Sequence, residues 1–138
     1  MSKIFVYGSL RKGMYNYEIY LRDKSKYIGE GYVKGELYTI RGVTYPALIP
    51  GDSFILGEIY EVSEDVEQAI DCLEGYVAES PQNEYNKVIC NIYDENKKEI
   101  YMQLPVYMFN TEKEEHKGIL ETQIIENDYV EFMRKQSE

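Results

Sequence analysis

From residue 27 to residue 62 the apolar residues recur at a period close to two, and no helical stretch interrupts them. A regular βαβ alternation needs a crossover helix between successive strands, so this run argues against a doubly wound parallel sheet. Residues 27–33, 35–40, 43–49 and 54–62 read as four strands, punctuated by Gly35, Gly42, Pro46, Pro50 and Gly51. Glycines inside strands predict bulges and tight bends, as in a small sheet that curls toward a barrel.

The flanking segments complete the order. Residues 4–7 form a short, continuously apolar run that reads as a central strand buried on both faces. Gly8 breaks it, and a short helix is predicted over 16–23. Residues 63–73 carry the clearest helical pattern: Ser63 as N-cap, Glu64 and Asp65 in the first turn, and Val66, Ala69, Ile70 and Leu73 on one face. Gly75 stops it. Residues 78–84 read as an exposed loop. The alternation through Val88, Cys90 and Ile92 predicts a hairpin of strands 85–93 and 99–109. Residues 110–117 are charged and read as exposed, and 128–135 as a terminal helix. The expected fold is α+β, with a small mixed-sheet β-barrel flanked by helices and one domain over residues 1–138.

Charge and composition narrow the partners. The net charge is -10, which repels nucleic-acid phosphates and anionic membranes. The N-terminus does not read as a secretion signal, and no apolar run approaches the ~20 residues of a membrane helix. Cys72 and Cys90 are too few for a disulfide framework and read as reduced core residues of a cytoplasmic protein. Fifteen Tyr against four Phe and no Trp suit strands and polar-rimmed cavities, because each ring brings a hydroxyl that needs a partner.

Two stretches could carry chemistry. In Tyr7-Gly8-Ser9-Leu10-Arg11-Lys12-Gly13 a strand runs into a Gly-Ser corner followed by two cations. Taken alone, this is either a tight turn with solvated cations or a cradle of backbone N–H groups for a carboxylate or phosphate. It is not a Walker loop. Glu74 lies four residues after Ile70, on the apolar helical face, and at the helix C-terminus. There the dipole disfavours a carboxylate. It is either an exposed helix-end Glu or a buried group whose pKa rises into the range of a general acid/base. The sole histidine, His116, lies in a charged run and reads as solvated; with one His and no close Cys pair, zinc is not expected. No nucleophile elbow is present. Asp52, Glu58, Glu61 and Glu79 read as surface charge.

The ordered set of these residues resembles the gamma-glutamylcyclotransferase-like family. Tyr7-Gly8-Ser9-Leu10 is similar to its Tyr-Gly-Ser/Thr-Leu loop, Gly57-Glu58-Ile59-Tyr60 to its Gly-x-x-Tyr strand, and Asp71-Cys72-Leu73-Glu74-Gly75-Tyr76 to its Leu-Asp-x-Leu-Glu-Gly-Tyr segment. Tyr85 to Val88, Pro105 to Phe109 and Asn127-Asp128-Tyr129 resemble later stretches of the family. Three features depart from the pattern: Lys87 where Arg is frequent, Asn127 where Gly is frequent, and a longer 77–83 segment placed to form a rim.

The resemblance implies a barrel with a cavity over the opening loop. It also implies Glu74 as catalytic acid/base, and Tyr7, Gly8, Ser9, Leu10, Tyr85 and Tyr107 as substrate-binding residues. The implied reaction is intramolecular aminolysis of a small-molecule γ-glutamyl amide to 5-oxoproline and a free amine. No cofactor or metal is implied. Two competing expectations are a non-catalytic binding module for a carboxylate metabolite on the same scaffold, and a hydrolase in which Glu74 activates water. The leaving amine and the oligomeric state are not readable from the sequence.

Overall fold

The computed structural model describes residues 1–136. In chain order the elements are β1 (Ser2–Val6), α1 (Tyr15–Tyr20), β2 (Ser25–Ile40), β3 (Pro46–Val62), α2 (Glu64–Leu73), β4 (Tyr85–Tyr93), β5 (Ile100–Phe109), β6 (Leu120–Gln123) and α3 (Tyr129–Gln136), with a 3-10 turn at Glu114–His116. Apart from β6, which the periodicity does not predict, the order of types matches the expectation, and the fold is α+β.

The four short strands expected between 27 and 62 are two long ones. β2 and β3 pair from Ser25 opposite Val62 to Thr39 opposite Pro46, with register shifts at Tyr27/Gly29 and Gly35/Glu36. Gly35 and Gly51 therefore mark irregularities, not ends, because ladder bonds on either side carry the strand through. Only the stretch around Gly42, with φ +79°, reverses the chain.

The path of neighbours is β1-β3-β2-β4-β5, and β6 joins the C-terminal end of β2. All five pairings are antiparallel, so the expected mixture of parallel and antiparallel ladders is not seen. Four successive reversals make β1 and β5, the two ends of the path, run parallel to each other. They lie side by side at a seam, where the Tyr7 hydroxyl donates to the Tyr107 carbonyl at 2.5 Å.

The alternation in β1 shows what positions the site. Ile4 and Val6 enter one buried cluster, with Leu10, Tyr60, Ile70, Tyr85 and Tyr107. Phe5 and Tyr7 enter a second, with Val33, Ile55, Ile92, Val106 and Tyr129. The second cluster draws on all of β1 to β5, so the sheet curls around it. Each fully buried large apolar side chain contributes roughly 1.5–3 kcal/mol, and β1 is anchored on both faces.

Three expectations are corrected. Cys72 is exposed, because it falls on the polar side of α2; both cysteines are free. His116 is not simply solvated: its ring stacks on Phe109 at 4.2 Å, with Nδ1 2.7 Å from the Asn110 carbonyl oxygen. Glu58 is not surface charge but is only 6% exposed. Among the described residues no helix is long and apolar enough to cross a membrane.

Candidate active site

Residues 7–10 leave β1 as a turn closed by the Arg11 N–H on the Gly8 carbonyl, 3.0 Å. The turn approaches the start of β3 so closely that a Cβ on Gly8 would lie 2.8 Å from the Pro46 ring; glycine is required there by space. Asn16, at the start of α1, donates from its main chain to the Ser9 carbonyl and from Nδ2 to Ser9 Oγ, 2.8 Å. Ser9 Oγ thus accepts from Asn16 and keeps its own proton to donate. Among the described residues the N–H groups of Gly8, Ser9 and Leu10 have no protein acceptor, although Ser9 and Leu10 are buried. Buried N–H groups are seldom left unpaired in proteins.

The other half of the site is set by the end of α2. Ser63 caps the helix by accepting from the Val66 N–H. At the far end Gly75, at φ +65°, donates to the Cys72 carbonyl, and Tyr76 donates to that of Asp71. This is the paired closure of a Schellman motif. It makes Glu74 the C-cap, directly after Leu73 on the buried face. Glu84 packs against Gly75, its N–H bonded to the Gly75 carbonyl at 3.2 Å.

The two halves meet. One cavity, about 560 Å³ with its solvent-facing mouth included, is lined by Phe5, Val6, Tyr7, Gly8, Ser9, Leu10, Asn16, Tyr45, Pro46, Leu73, Glu74, Tyr85 and Tyr107. Every residue that the sequence singled out as catalytic or substrate-binding is on that wall. Among the described residues Glu74 is the one carboxylate on that wall. Burial, then the negative charges of Glu84 and Asp71, push its pKa from 4.5 up to about 7.

The hydroxyls of the three tyrosines are committed. Tyr7 donates to the Tyr107 carbonyl, Tyr85 to the Pro46 carbonyl at 2.6 Å, and Tyr107 to Asp71 Oδ1 at 2.6 Å. Burial raises the pKa of each, so all three stay protonated. They shape the cavity with their rings and hold its walls together, while the uncommitted donors are the loop N–H groups and the Ser9 hydroxyl.

The surroundings also depart from the sequence reading. Arg11 does not serve the cavity with charge: Nε is 2.9 Å from Glu58 Oε2 and Nη1 2.6 Å from Asp128 Oδ1. Lys87 reaches Glu67 at 2.9 Å and Asp71 at 2.8 Å. Burial opposes its charge, but these two carboxylates outweigh burial and raise its pKa. Residues 77–83 do not line the cavity. Asn83 ties the segment back on itself by bonding both main-chain groups of Val77 at 2.8 Å. Tyr45, Pro46 and Glu84 carry no local signal, because their place depends on contacts between residues far apart in the chain, whereas Asn16 is tied to nearby Ser9.

The family model for gamma-glutamyl cyclotransferase, AIG2-like, matches residues 4–130. A candidate gamma-glutamylcyclotransferase of Methanocaldococcus jannaschii is 47% identical over 78 residues, 55% of this chain and 63% of that protein. The gamma-L-glutamyl-butirosin B gamma-glutamyl cyclotransferase of Niallia circulans is 32% identical over 93 residues, 67% of this chain and 58% of that protein. These two matches span less than two thirds of either relative's length. A mouse AIG2-like protein of known crystal structure superposes with a TM-score of 0.67 at 26% identity, over 86% of this chain and 84% of that one. An uncharacterised Pyrococcus horikoshii protein superposes with a TM-score of 0.70 at 22% identity, over 99% and 97% of the two chains; at that identity the likeness is one of fold.

Proposed function

The chain belongs to the AIG2-like gamma-glutamyl cyclotransferase family, and on that premise we propose that it cyclises the γ-glutamyl group of a small-molecule amide to 5-oxoproline and releases the free amine, with Glu74 as general acid/base. The observation that carries this reading is the meeting, in one cavity, of a carboxylate with a pKa of about 7 and three unpaired backbone N–H groups.

In this reading the N–H groups of Gly8 to Leu10 and the Ser9 hydroxyl hold the substrate α-carboxylate. Pinning that end brings the α-nitrogen against its own γ-carbonyl, so five-membered ring closure begins from a near-attack geometry. The α-ammonium has two protons to lose, and the departing nitrogen has two to gain. Glu74 takes a proton from the α-nitrogen, which bonds to the γ-carbon. The protonated Glu74 returns it to the leaving nitrogen as the amide C–N bond breaks. A second transfer by the same route leaves 5-oxoproline and an ammonium product, with no net proton change. A carboxyl with a pKa near 7 is matched to both halves of this task. Tyr7, Tyr85 and Tyr107 wall the cavity beside the glutamyl chain and exclude water from the γ-carbon, which favours ring closure over hydrolysis.

The reading treats residues 1–138 as one catalytic domain and places it in the cytoplasm, where its two free cysteines suit a reducing environment. Product detection by mass spectrometry over a panel of γ-glutamyl amines and amino acids tests it. The expected product is 5-oxoproline, with turnover reduced at least about 100-fold in Glu74→Gln. Free glutamate as product, or full turnover in that variant, would overturn it.

A further inference from the structure

The Ser9–Leu10 cradle is held from behind by a buried ion cluster that the chemistry itself does not use. Arg11 follows the cradle directly and is 5% exposed. Its Nε donates to Glu58 Oε2 in β3 at 2.9 Å, and Nη1 donates to Asp128 Oδ1, before α3, at 2.6 Å. Glu58 Oε1 accepts two further bonds at 2.8 Å, from the Lys12 N–H and from the Tyr60 hydroxyl. Asp128 Oδ1 also accepts from the Glu131 N–H, capping the terminal helix. The main chain of residues 8–12 is thereby fixed at both ends: by the Arg11 N–H on the Gly8 carbonyl, and by the Lys12 N–H on Glu58.

The cluster of one guanidinium and two carboxylates is net negative, so it does not draw an anion into the cavity by charge. Burial opposes the Arg11 charge, but Glu58 and Asp128 outweigh that and raise its pKa. The guanidinium is held permanently, and its contribution must be geometric. The grip extends to the opposite wall. Tyr129, next to Asp128, donates its hydroxyl to the Thr44 carbonyl, two residues before the Pro46 that packs on Gly8. The start of α3 thus braces both the cradle and the wall facing it.

We propose that Arg11, clamped between Glu58 and Asp128, is a positioning residue that sets the aim of the Gly8–Leu10 N–H groups and with it the selection for substrates bearing a free α-carboxylate. This rests on the cyclotransferase reading of the same site. A clamp that served stability alone would behave differently. Buried ion clusters are frequently replaceable by apolar residues with little loss of stability, and losing a fraction of folded enzyme scales the rates on all substrates equally.

The test compares, for one accepted γ-glutamyl amide, the free α-carboxylate compound with its α-carboxamide counterpart. The enzymes are the wild type, Arg11→Met, Arg11→Lys, Asp128→Asn and the pair Arg11→Met/Glu58→Met. The ratio of the two kcat/KM values cancels any difference in the folded fraction. It should fall about tenfold in Arg11→Met and in the double variant, and about threefold in Asp128→Asn, because a small misplacement of an orienting group costs this much or more. kcat for the carboxylate compound should fall along with kcat/KM, because the cradle also sets the near-attack geometry of ring closure. Arg11→Lys keeps the charge but loses the two-pronged fork, and should resemble Arg11→Met rather than the wild type. If Arg11→Met does not fold by circular dichroism, Arg11→Lys and Asp128→Asn decide the matter. An unchanged ratio in folded variants would overturn the inference. A wild type that forms no 5-oxoproline would instead overturn the functional reading beneath it.

Discussion

The surroundings of Glu74 oppose its charged form, so removing the titration should stabilise the protein at high pH while stopping the chemistry. Its pKa rises from 4.5 to about 7 through burial and the nearby charges of Glu84 and Asp71. The folded state therefore binds this proton more tightly than the unfolded chain does. Below pH 4.5 both states are protonated and there is no penalty. As the pH rises toward 7 the unfolded chain ionises first, and stability is lost across that window. At about 1.4 kcal/mol per pH unit the penalty approaches roughly 3 kcal/mol above pH 7. Glu74 faces a cavity that opens to solvent, and screening reduces the figure to about 1–2 kcal/mol. Glu74→Gln keeps the shape and removes the titration. Urea unfolding from pH 5 to pH 8 should show the variant more stable by about 1–2 kcal/mol at pH 8, with most of the gap closed at pH 5. Two curves that run parallel over this range would refute the claim that Glu74 carries the raised pKa, and so would a variant less stable than the wild type at pH 8.

Three further outcomes follow from the same geometry. Glu84→Gln removes the larger of the two like charges acting on Glu74; the rising limb of kcat/KM should move to lower pH by about half a unit or more, read from a pH–rate profile. Lys87→Gln should move that limb the other way, because Asp71 loses the ammonium 2.8 Å from it and its charge acts on Glu74 uncompensated; a shift to lower pH would contradict the placement. Gly75→Ala should cost about 1–2 kcal/mol in thermal unfolding, since a left-handed backbone carries that penalty for a residue with a Cβ. The added carbon would also lie 3.1 Å from Glu84 Cβ, so the site would be disturbed with the fold.

Elements whose cause is local were legible along the chain. Helix α2 starts at a Ser63 that does cap it and ends at a Gly75 that does turn left-handed, because capping and positive φ are decided within a few residues. The β4–β5 hairpin forms around a polar turn where the sequence places one, although Val88 in the expected alternation is exposed. Elements whose cause is remote were misread. Gly35 and Pro50 looked like strand ends, yet β2 and β3 run past them because each strand is templated by the other. β6 went unnoticed, since its four residues form a strand only against β2. Glu58 looked like surface charge, and its burial depends on an arginine 47 positions away.

By itself the sequence determined where Glu74 stands: on the apolar face of a capped helix, one residue before the glycine that stops it, with a strand and a Gly-Ser corner far upstream. Those are consequences of helical periodicity and backbone sterics, which act over a few residues. Only the tertiary structure decided what these pieces do to one another. The fold brings Glu74 into the same cavity as the loop residues Gly8, Ser9 and Leu10. It sets Glu84 and Asp71 near enough to raise the Glu74 pKa. It also turns Arg11 from a free cation into a clamped one. Desolvation and Coulomb interaction act through space rather than along the chain, so they exist only once the fold has made neighbours of distant residues.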